Sequence, residues 1–223
     1  MNKILVYGNG NIAKIIYHFL KKKFDVVGFT VDKKYIIETS IEGLPLVPFE
    51  NVQEKYDVSK YKMIVAIGYI QMNNVREKKY QEAKKKGYSF VNYIHPSVEI
   101  HENLKIGENN IILDHVAIQP YVKIGNSNFL WSNTTLGHGS SMENTNWITS
   151  GVVISGDVVL KSKCFLGVNA TIGHNISIES ENFIGANTLI TKNTNEKEVF
   201  ISKDGDKFRL DTPRFLKFAG IYQ

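Results

Sequence analysis

The sequence predicts a small Rossmann-like α/β domain followed by a parallel β-helix. Strands alternate with helices over about the first ninety residues, and aliphatic residues then recur at every sixth position. A shift in charge separates the two parts, since residues 1–93 carry 16 Lys and Arg against 9 Asp and Glu, whereas residues 94–192 carry 5 against 8. We therefore predict domains at 1–93 and 94–192, with residues 193–223 as a C-terminal cap or tail.

The composition of the 223 residues excludes several classes of protein. Hydrophobic residues make up 43% and charged residues 22%, which is typical of a chain with a packed core. Cys164 is the only cysteine, so an intrachain disulfide and a cysteine-based metal cluster are both excluded. No apolar run is long enough to cross a bilayer, and the layout of a signal peptide is missing. These features predict a cytoplasmic protein with no membrane partner.

The net charge of +5 is compatible with nucleic-acid binding, but the position of the lysines favours another explanation. The clusters Lys21–Lys23 and Lys84–Lys86 stand where two helices are predicted to end. Cations at that end of a helix offset its macrodipole. We therefore expect no nucleic-acid partner.

The repeated order of strand and helix indicates a parallel sheet in the N-terminal domain. Ile4–Tyr7 has the composition of a buried strand, and the apolar residues after Gly10 have the spacing of one helical face. The predicted elements are strands at 4–7, 24–31, 63–67 and 88–93, with helices that begin near Ile12 and Val75.

Gly8, Asn9 and Gly10 join the first strand to the first helix in a pattern that is typical of phosphate-binding turns. Gly8 permits the tight turn, Gly10 lets a ligand approach the main chain, and the helix N-terminus attracts an anion. Asp32 ends the second strand, where its carboxylate is expected to bind a ribose or a base, and Gly68 ends another strand. The domain lacks a second mononucleotide half, which favours a mononucleotide-type ligand over NAD. A tight turn without a ligand is the alternative.

A six-residue repeat dominates the second half of the chain. All seventeen positions at intervals of six from Ile94 to Ile190 are Ile, Leu or Met, and the pattern stops at Glu196. Glycine or a small polar residue often follows the aliphatic one, and we expect glycine or asparagine to adopt the unusual dihedral angles of the turn. A second series, which begins at Val98 and includes Cys164, holds mostly small or β-branched residues. This hexapeptide repeat is the signature of a parallel β-helix, in which Cys164 is predicted to pack in the core.

The repeat resembles the left-handed β-helix of hexapeptide acyltransferases. Together with the glycine-rich turn and the bridge Gly-Tyr-Ser-Phe-Val-Asn-Tyr-Ile-His-Pro at 87–96, it is similar to bacterial sugar acyltransferases grouped with sialic acid O-acetyltransferases. That family includes N-acetyltransferases of nucleotide-linked amino sugars. The resemblance implies a homotrimer that binds acetyl-CoA between neighbouring β-helices and holds a nucleotide-linked amino sugar partly on the N-terminal domain. We expect neither a metal nor NAD.

The resemblance also implies roles for individual residues. The Leu-Gly-His sequence that ends at His138 matches the position of the family's catalytic base, and an imidazole is suited to accept a proton near neutral pH. Gly156 follows one coil later and matches the residue whose backbone N–H contacts the acetyl oxygen. Val168, Gly185 and Ala186 match positions that line the CoA channel.

The chain departs from the family at several of these positions. Gly139 stands where many relatives place an acid after the histidine, so we expect a carboxylate from elsewhere, such as a neighbouring subunit, to orient His138. Trp131 stands where a relative has an asparagine near the substrate, and its ring is expected to contact the sugar. His174 shares the edge of His138 and is expected at the surface or beside CoA. A residue on the edge of a closed prism lies in a pocket only if another subunit supplies the second wall, which also favours a homotrimer.

The favoured function is acetyl-CoA-dependent N-acetylation of a nucleotide-linked amino sugar. An O-acetyltransferase that acts on a sugar hydroxyl and a non-catalytic nucleotide-sugar-binding protein remain alternatives. A γ-type carbonic anhydrase shares the β-helix but needs a pair of histidines five residues apart, which this sequence lacks. A nicotinamide oxidoreductase would leave the β-helix without a role.

Overall fold

A computed structural model describes residues 2–220 and places an α/β domain before a triangular β-helix. The strand order across the N-terminal sheet is β3-β4-β2-β1-β5, and every pair except β3 with β4 is parallel. This is the predicted Rossmann-like arrangement. Its elements are β1 (Lys3–Tyr7), α1 (Asn11–Leu20), β2 (Asp25–Val31), β3 (Ser40–Ile41), β4 (Leu44–Pro48), β5 (Lys62–Val65) and α2 (Asn74–Lys85), with 3-10 turns at Lys33–Tyr35 and Val52–Glu54.

Two parts of this sheet differ from the sequence prediction. The strand predicted at 88–93 is reduced to a single bridge between Met63 and Phe90, because Tyr93 already pairs with the β-helix. β4 is an additional strand, which the sequence pattern did not indicate. Pro45 and Pro48 lie near its two ends, where a strand tolerates a residue without an N–H.

The β-helix consists of three walls of parallel two-residue strands, and the chain visits walls 1, 2 and 3 in turn. One coil takes 18 residues, so strands pair with those one coil away. Wall 1 holds β6 (Tyr93–Ile94), β8 (Ile111–Ile112), β11 (Phe129–Leu130), β14 (Trp147–Ile148), β17 (Phe165–Leu166), β20 (Phe183–Ile184) and β22 (Val199–Phe200). Wall 2 holds β9 (Ala117–Ile118), β12 (Thr135–Leu136), β15 (Val153–Ile154), β18 (Thr171–Ile172) and β21 (Leu189–Ile190). Wall 3 holds β7 (Lys105–Ile106), β10 (Lys123–Ile124), β13 (Ser141–Met142), β16 (Val159–Leu160) and β19 (Ser177–Ile178).

Three edges separate the walls: the first edge joins wall 1 to wall 2, the second joins wall 2 to wall 3, and the third joins wall 3 to wall 1. The second residue of each strand points into the prism, and the inward side chains form one continuous apolar core. Cys164 is fully buried in this core, and burial raises the pKa of its thiol to about 12. Its predicted packing role is therefore confirmed. The tail adds β22 to wall 1 and ends in an exposed helix, α3 (Thr212–Phe218).

The turns use glycine differently from the sequence expectation. Every sixth residue from Asn109 to Asn187 has a positive φ, and each stands three places after an inward aliphatic residue. The glycines that directly follow the aliphatic residues do not have positive φ. They are needed for space, since a Cβ on Gly125 would lie 2.7 Å from the carbonyl oxygen of Glu143 in the next coil. The expectation that these glycines supply the unusual dihedral angles is therefore wrong, whereas the expectation for asparagine is confirmed, because asparagine is common at the left-handed position.

Buried asparagines form a ladder along the third edge. The Oδ1 atoms of Asn110, Asn128 and Asn146 each accept a hydrogen bond, at 2.8–2.9 Å, from the main-chain N–H of the residue one coil later. Cys164 interrupts the ladder, because a thiol sulfur is only a weak hydrogen-bond acceptor. The Oδ1 of Asn182, one coil beyond, is buried without a hydrogen-bond partner within residues 2–220.

The outward face of wall 1 is apolar and is covered by the N-terminal domain. Its side chains belong to the same hydrophobic core as β1, β2, β5 and both helices of that domain. The two domains are therefore joined by a continuous apolar interface. The buried outward residues are Tyr93, Ile111, Phe129, Trp147 and Phe165.

Arg76 of α2 fixes this interface with main-chain hydrogen bonds. Its side chain is buried, and it donates to the carbonyl oxygens of Ser127, Thr145 and Asn146 in the β-helix at 3.0–3.2 Å. The guanidinium also lies over the ring of Trp147, at 5.2 Å from the ring centre. Burial lowers the pKa of Arg76 to about 9, so the group stays charged at neutral pH. None of the helices in residues 2–220 is long and apolar enough to cross a membrane.

The asparagine ladder predicts a selective loss of stability. Asn128→Ala removes the acceptor for the buried N–H of Asn146. We expect the free energy of unfolding to fall by about 1–3 kcal/mol, the usual cost of a buried polar group left unpaired. Denaturant unfolding measures the change. The control is Asn126→Ala, whose Oδ1 accepts from Glu108 in a partly exposed site where water replaces it. If the free energy of unfolding fell equally in both variants, burial of the ladder would not explain its contribution to stability.

Candidate functional site

A cavity of about 900 Å³ opens between the two domains, where α1 and α2 begin. Gly8, Asn9, Gly10 and Gly68 line it, and all four were predicted from the sequence as substrate-binding residues. The β-helix contributes Phe183, which extends from wall 1. The structure therefore brings the glycine-rich turn and wall 1 to one site.

The glycine-rich turn has the geometry that its sequence predicts. Gly8 has φ +137°, and a Cβ there would lie 2.8 Å from the carbonyl oxygen of Ala66 and 3.1 Å from the Cβ of Ala13. A Cβ on Gly10 would meet no atom within 4 Å, so the main chain is open to the cavity at this point. Gly10 is also the N-cap of α1 and carries no capping side chain. The N–H groups of the first turn can therefore bind an anion.

The loop before α2 is strained, and the β-helix holds it in place. Gln71, Met72 and Asn73 have consecutive positive φ angles of 52°, 50° and 66°. The buried Asn73 side chain donates to the carbonyl oxygens of Lys163 and Cys164 at 3.3 and 3.2 Å. Strain of this kind persists where the surroundings fix the conformation, and it often marks a ligand site. The loop forms one side of the cavity.

Asp32 is bonded to two residues that line the cavity, but it is not itself a lining residue. Tyr7 donates to its Oδ1 at 2.6 Å, and the Nζ of Lys79 lies 2.8 and 2.7 Å from its two oxygens. Burial acts to raise the pKa of Asp32, but the hydrogen bonds from Lys79 and Tyr7 outweigh it and hold the pKa below its usual value. Burial and the bond to Asp32 raise the pKa of Tyr7. A direct contact of Asp32 with a ribose, which stays a prediction, would compete with these bonds.

Trp131 lies outside this cavity, on the first edge of the β-helix. Its half-buried ring stacks on Phe129 with 5.2 Å between ring centres and meets Trp147 edge-on at 6.0 Å. Its structural role is therefore to extend the aromatic packing of wall 1. The predicted sugar contact stays a prediction.

His138, Gly156 and His174 lie along the second edge, as the 18-residue coil predicts. The imidazole of His138 lies over Gly156, since a Cβ on Gly156 would be 2.6 Å from its Nε2 atom. The rings of His138 and His174 lean toward each other, so their centres are 6.2 Å apart and not about two strand spacings, or ~9.6 Å. Within residues 2–220 the N–H of Gly156 makes no hydrogen bond, which leaves it free to donate to a ligand.

Asp157 is a member of this group that the sequence analysis missed. Its Oδ2 lies 3.9 Å from the Nδ1 of His138 and 3.9 Å from the Nε2 of His174. A carboxylate near His138 is thus present in the same chain, one coil away, and its orienting role stays a prediction. The signal was available, because Asp157 directly follows the predicted Gly156. In the part of the chain described here, no group of three His, Cys, Asp or Glu side chains has the geometry of a metal site.

The residues predicted to line the CoA channel lie on a different edge from His138. Val168, Gly185 and Ala186 are on the first edge, whereas His138 and Gly156 are on the second. Wall 2 separates the two groups within one chain. They can form a single site only if the second edge of one copy faces the first edge of another.

Comparisons with known proteins agree with this architecture. Residues 3–83 match the family model of the PglD N-terminal domain. A mutant of perosamine N-acetyltransferase from Caulobacter crescentus superposes with a TM-score of 0.81 at 21% identity, covering 89% of this chain and 93% of that one. The acetyltransferase domain of PglB from Neisseria gonorrhoeae FA1090 gives 0.78 at 17% identity, covering 89% and 96%. WeeI from Acinetobacter baumannii AYE gives 0.76 at 18% identity, covering 90% and 94%.

Among curated proteins, none has a sequence that matches this chain. The structural matches nevertheless confirm the predicted resemblance at the level of the fold, because they extend over both domains. A small N-terminal α/β domain followed by a left-handed β-helix is therefore the architecture of this chain.

The contact between Lys79 and Asp32 predicts a pH-dependent stability. Lys79→Met should lower the free energy of unfolding by about 2–3 kcal/mol at neutral pH, because it leaves a mostly buried carboxylate without its cation. The pKa of Asp32 is lowered in the folded state, so this stabilisation is present above the ordinary aspartate pKa and is lost as the pH falls through the lowered value.

Unfolding of wild type and Lys79→Met at neutral pH and in acid measures this effect, and the difference should narrow in acid. Lys78→Met is the matched control, because the Lys78 side chain is 72% exposed and lies 3.9 Å from Glu82. It should change stability by less than about 0.5 kcal/mol. If the free energy of unfolding of Lys79→Met differs from that of wild type by the same amount at neutral and acid pH, the ion pair between Lys79 and Asp32 is not the source of the stability.

Proposed function

We propose that this chain is an acetyl-CoA-dependent N-acetyltransferase that acts on the amino group of a nucleotide-linked amino sugar. The observation that carries the proposal is the position of His138 over Gly156 on an exposed edge of a β-helix of this fold. A mutant of perosamine N-acetyltransferase with the same fold has been solved with CoA and GDP-perosamine, and the PglB domain with acetyl coenzyme A. A cytoplasmic location, where acetyl-CoA is supplied, is part of the proposal.

The proposed reaction uses His138 as the general base. The sugar amine attacks the thioester carbonyl, so a C–N bond forms and the C–S bond breaks. The Nε2 of His138 accepts the proton that the nitrogen loses and returns it to the departing thiolate sulfur. The N–H of Gly156 donates to the carbonyl oxygen as negative charge develops there.

We propose that the acceptor binds in the cavity between the two domains. The open N-terminus of α1 suits a diphosphate. The cavity around it is lined by Gly8, Asn9, Gly10 and Gly68. Lys79 presents a cation from the other side of the cavity. Asp32 contributes by holding Lys79 and Tyr7 in place.

The proposed site needs more than one copy of the chain. Wall 1 faces the cavity, whereas the second edge with His138 lies across the prism from wall 1. A sugar held in the cavity of one subunit therefore reaches the histidine of a neighbour. The same arrangement joins Val168, Gly185 and Ala186 on one subunit to His138 and Gly156 on the next. We propose a homotrimer on this basis.

The outward residues of wall 2 support its role as the subunit contact. They carry no charge, and Val153 and Leu189 expose 39% and 63% of their surface in the single chain. Wall 3 differs, because Lys105 and Lys123 point outward from it. The outward residues of wall 2 are Ala117, Thr135, Val153, Thr171 and Leu189.

A thiol-release assay tests the activity. Acetyl-CoA is supplied with a panel of UDP-, dTDP- and GDP-linked amino sugars, and with the matching sugars that carry a hydroxyl in place of the amine. We expect release with at least one amino sugar, and His138→Ala should lower kcat by about 10²–10⁴-fold, the usual contribution of a positioned base. The control is His101→Ala, which removes a histidine from a distant coil. Release only with hydroxyl sugars would establish the O-acetyltransferase instead, and no release at all would overturn the enzyme assignment.

Light scattering tests the assembly. Wild type should have the mass of a trimer at micromolar concentration, and Val153→Glu should reduce it to monomers because it buries a charge in the proposed contact. Val159→Glu is the matched control, since Val159 has the same position on wall 3 in the next strand along the chain. A monomeric wild type, or equal dissociation by both variants, would contradict wall 2 as the contact.

A further inference from the structure

Two glycines bring the side chains of His138 and Asp157 together. His138 and Gly139 are adjacent on one coil, and Gly156 and Asp157 are adjacent on the next. A Cβ on Gly139 would collide with the Oδ1 of Asp157, and a Cβ on Gly156 would collide with the imidazole of His138. Each glycine therefore makes room for the functional side chain of the other coil.

The main chain holds Asp157 in register with His138. The N–H of Asp157 donates to the carbonyl oxygen of His138 at 2.8 Å. Asp157 has φ +56°, in the left-handed region that only a few residue types adopt readily. Its backbone is thus fixed, and its carboxylate is directed toward the two imidazoles.

The two histidines present different nitrogens to this carboxylate. His138 faces it with Nδ1, whereas His174 faces it with Nε2. A carboxylate favours the tautomer that carries its proton on the facing nitrogen. His138 is therefore left with a free electron pair on Nε2, the atom that lies over Gly156. The separation of 3.9 Å is longer than a hydrogen bond, and catalytic contacts of this kind commonly shorten when the substrates bind.

We infer that Asp157 is a positioning residue that holds His138 in the tautomer with a basic Nε2, and that His174 shares its carboxylate. This inference deepens the proposed function and rests on it for its catalytic meaning. Many relatives place an acid at the position of Gly139, and in this chain Asp157 of the next coil supplies the carboxylate instead. It also gives His174 a defined place, as the second partner of Asp157 and not as the base.

The first test is Asp157→Asn, which keeps the size of the side chain and tolerates the left-handed backbone. We expect kcat to fall by about 10–100-fold with the KM of both substrates within about twofold, a smaller effect than loss of the base itself. Glu181→Gln is the matched control, because Glu181 is also a carboxylate at a left-handed turn position, with φ 61°. It should leave kcat unchanged.

Nitrogen-15 NMR of the histidines separates this inference from the proposed function. In wild type at about pH 8, the neutral His138 ring should be protonated mainly on Nδ1, and Asp157→Asn should shift the proton toward Nε2. Spectra of His138→Asn identify the signals. An unchanged tautomer in Asp157→Asn overturns the inference, whatever the activity. A shifted tautomer in a protein that transfers no acetyl group supports the positioning by Asp157 and rejects the proposed function.

A second variant tests the reciprocal packing without replacing either His138 or Asp157. Gly139→Ala introduces a methyl group into the space of the Asp157 carboxylate and should lower kcat about as much as Asp157→Asn. The control is Gly151→Ala. Gly151 has φ +72°, close to the +69° of Gly139, and the added methyl group would meet the side chain of Asn169. Both variants carry the same backbone strain, so their melting temperatures should fall equally. Equal kcat values for the two variants would overturn the role of Asp157.

Discussion

The outward face of wall 1 has to be covered, because it places a column of aromatic and aliphatic side chains on the outside of the prism. The N-terminal domain covers it, and Arg76 fixes the position with hydrogen bonds to the main-chain carbonyls of Ser127, Thr145 and Asn146. The contact between the N-terminal domain and wall 1 determines the position of the cavity and of the exposed walls. It forms the cavity beside Phe183, and it leaves walls 2 and 3 and the second edge open to other molecules.

The chemistry of the second edge follows from the length of the coil. Because residues 18 apart stack directly, two short sequences one coil apart become neighbours. The proposed site combines His138-Gly139 with Gly156-Asp157, and neither segment contains it alone. A β-helix has a solid interior, so its reactive groups lie on its surface. The cavity supplies concave binding surface on one side of the molecule, while the imidazoles lie on the other, which is why the proposed function depends on neighbouring copies.

The fold was predictable because its signal repeats: the inward aliphatic residues from Ile94 to Ile190 fix the coil length, and Gly8 and Gly10 identify the turn that opens the cavity. The parts that were missed depend on contacts between elements. The column from Ile111 through Trp147 to Phe165 has the same 18-residue spacing, but nothing in the sequence says which domain covers it. Asp157 was overlooked because its proposed role depends on the space that Gly139 leaves by having no side chain. The bonds of Asp32 to Tyr7 and Lys79 join three distant segments, which local pattern cannot show.

A solenoid normally loses its coils from the ends, one after another, because each repeat contacts only its neighbours. Here the N-terminal domain is bonded to many coils at once: Asn109 accepts from Val65, Arg76 binds the carbonyls near Thr145, and Asn73 binds those of Lys163 and Cys164. The N-terminal domain thus holds several coils of the β-helix together. An inner coil can unfold only if this domain detaches, so the central coils and the α/β domain should melt as one cooperative unit. The last coils, where the asparagine ladder has already stopped at Cys164, are left as the part of the β-helix most free to open on its own.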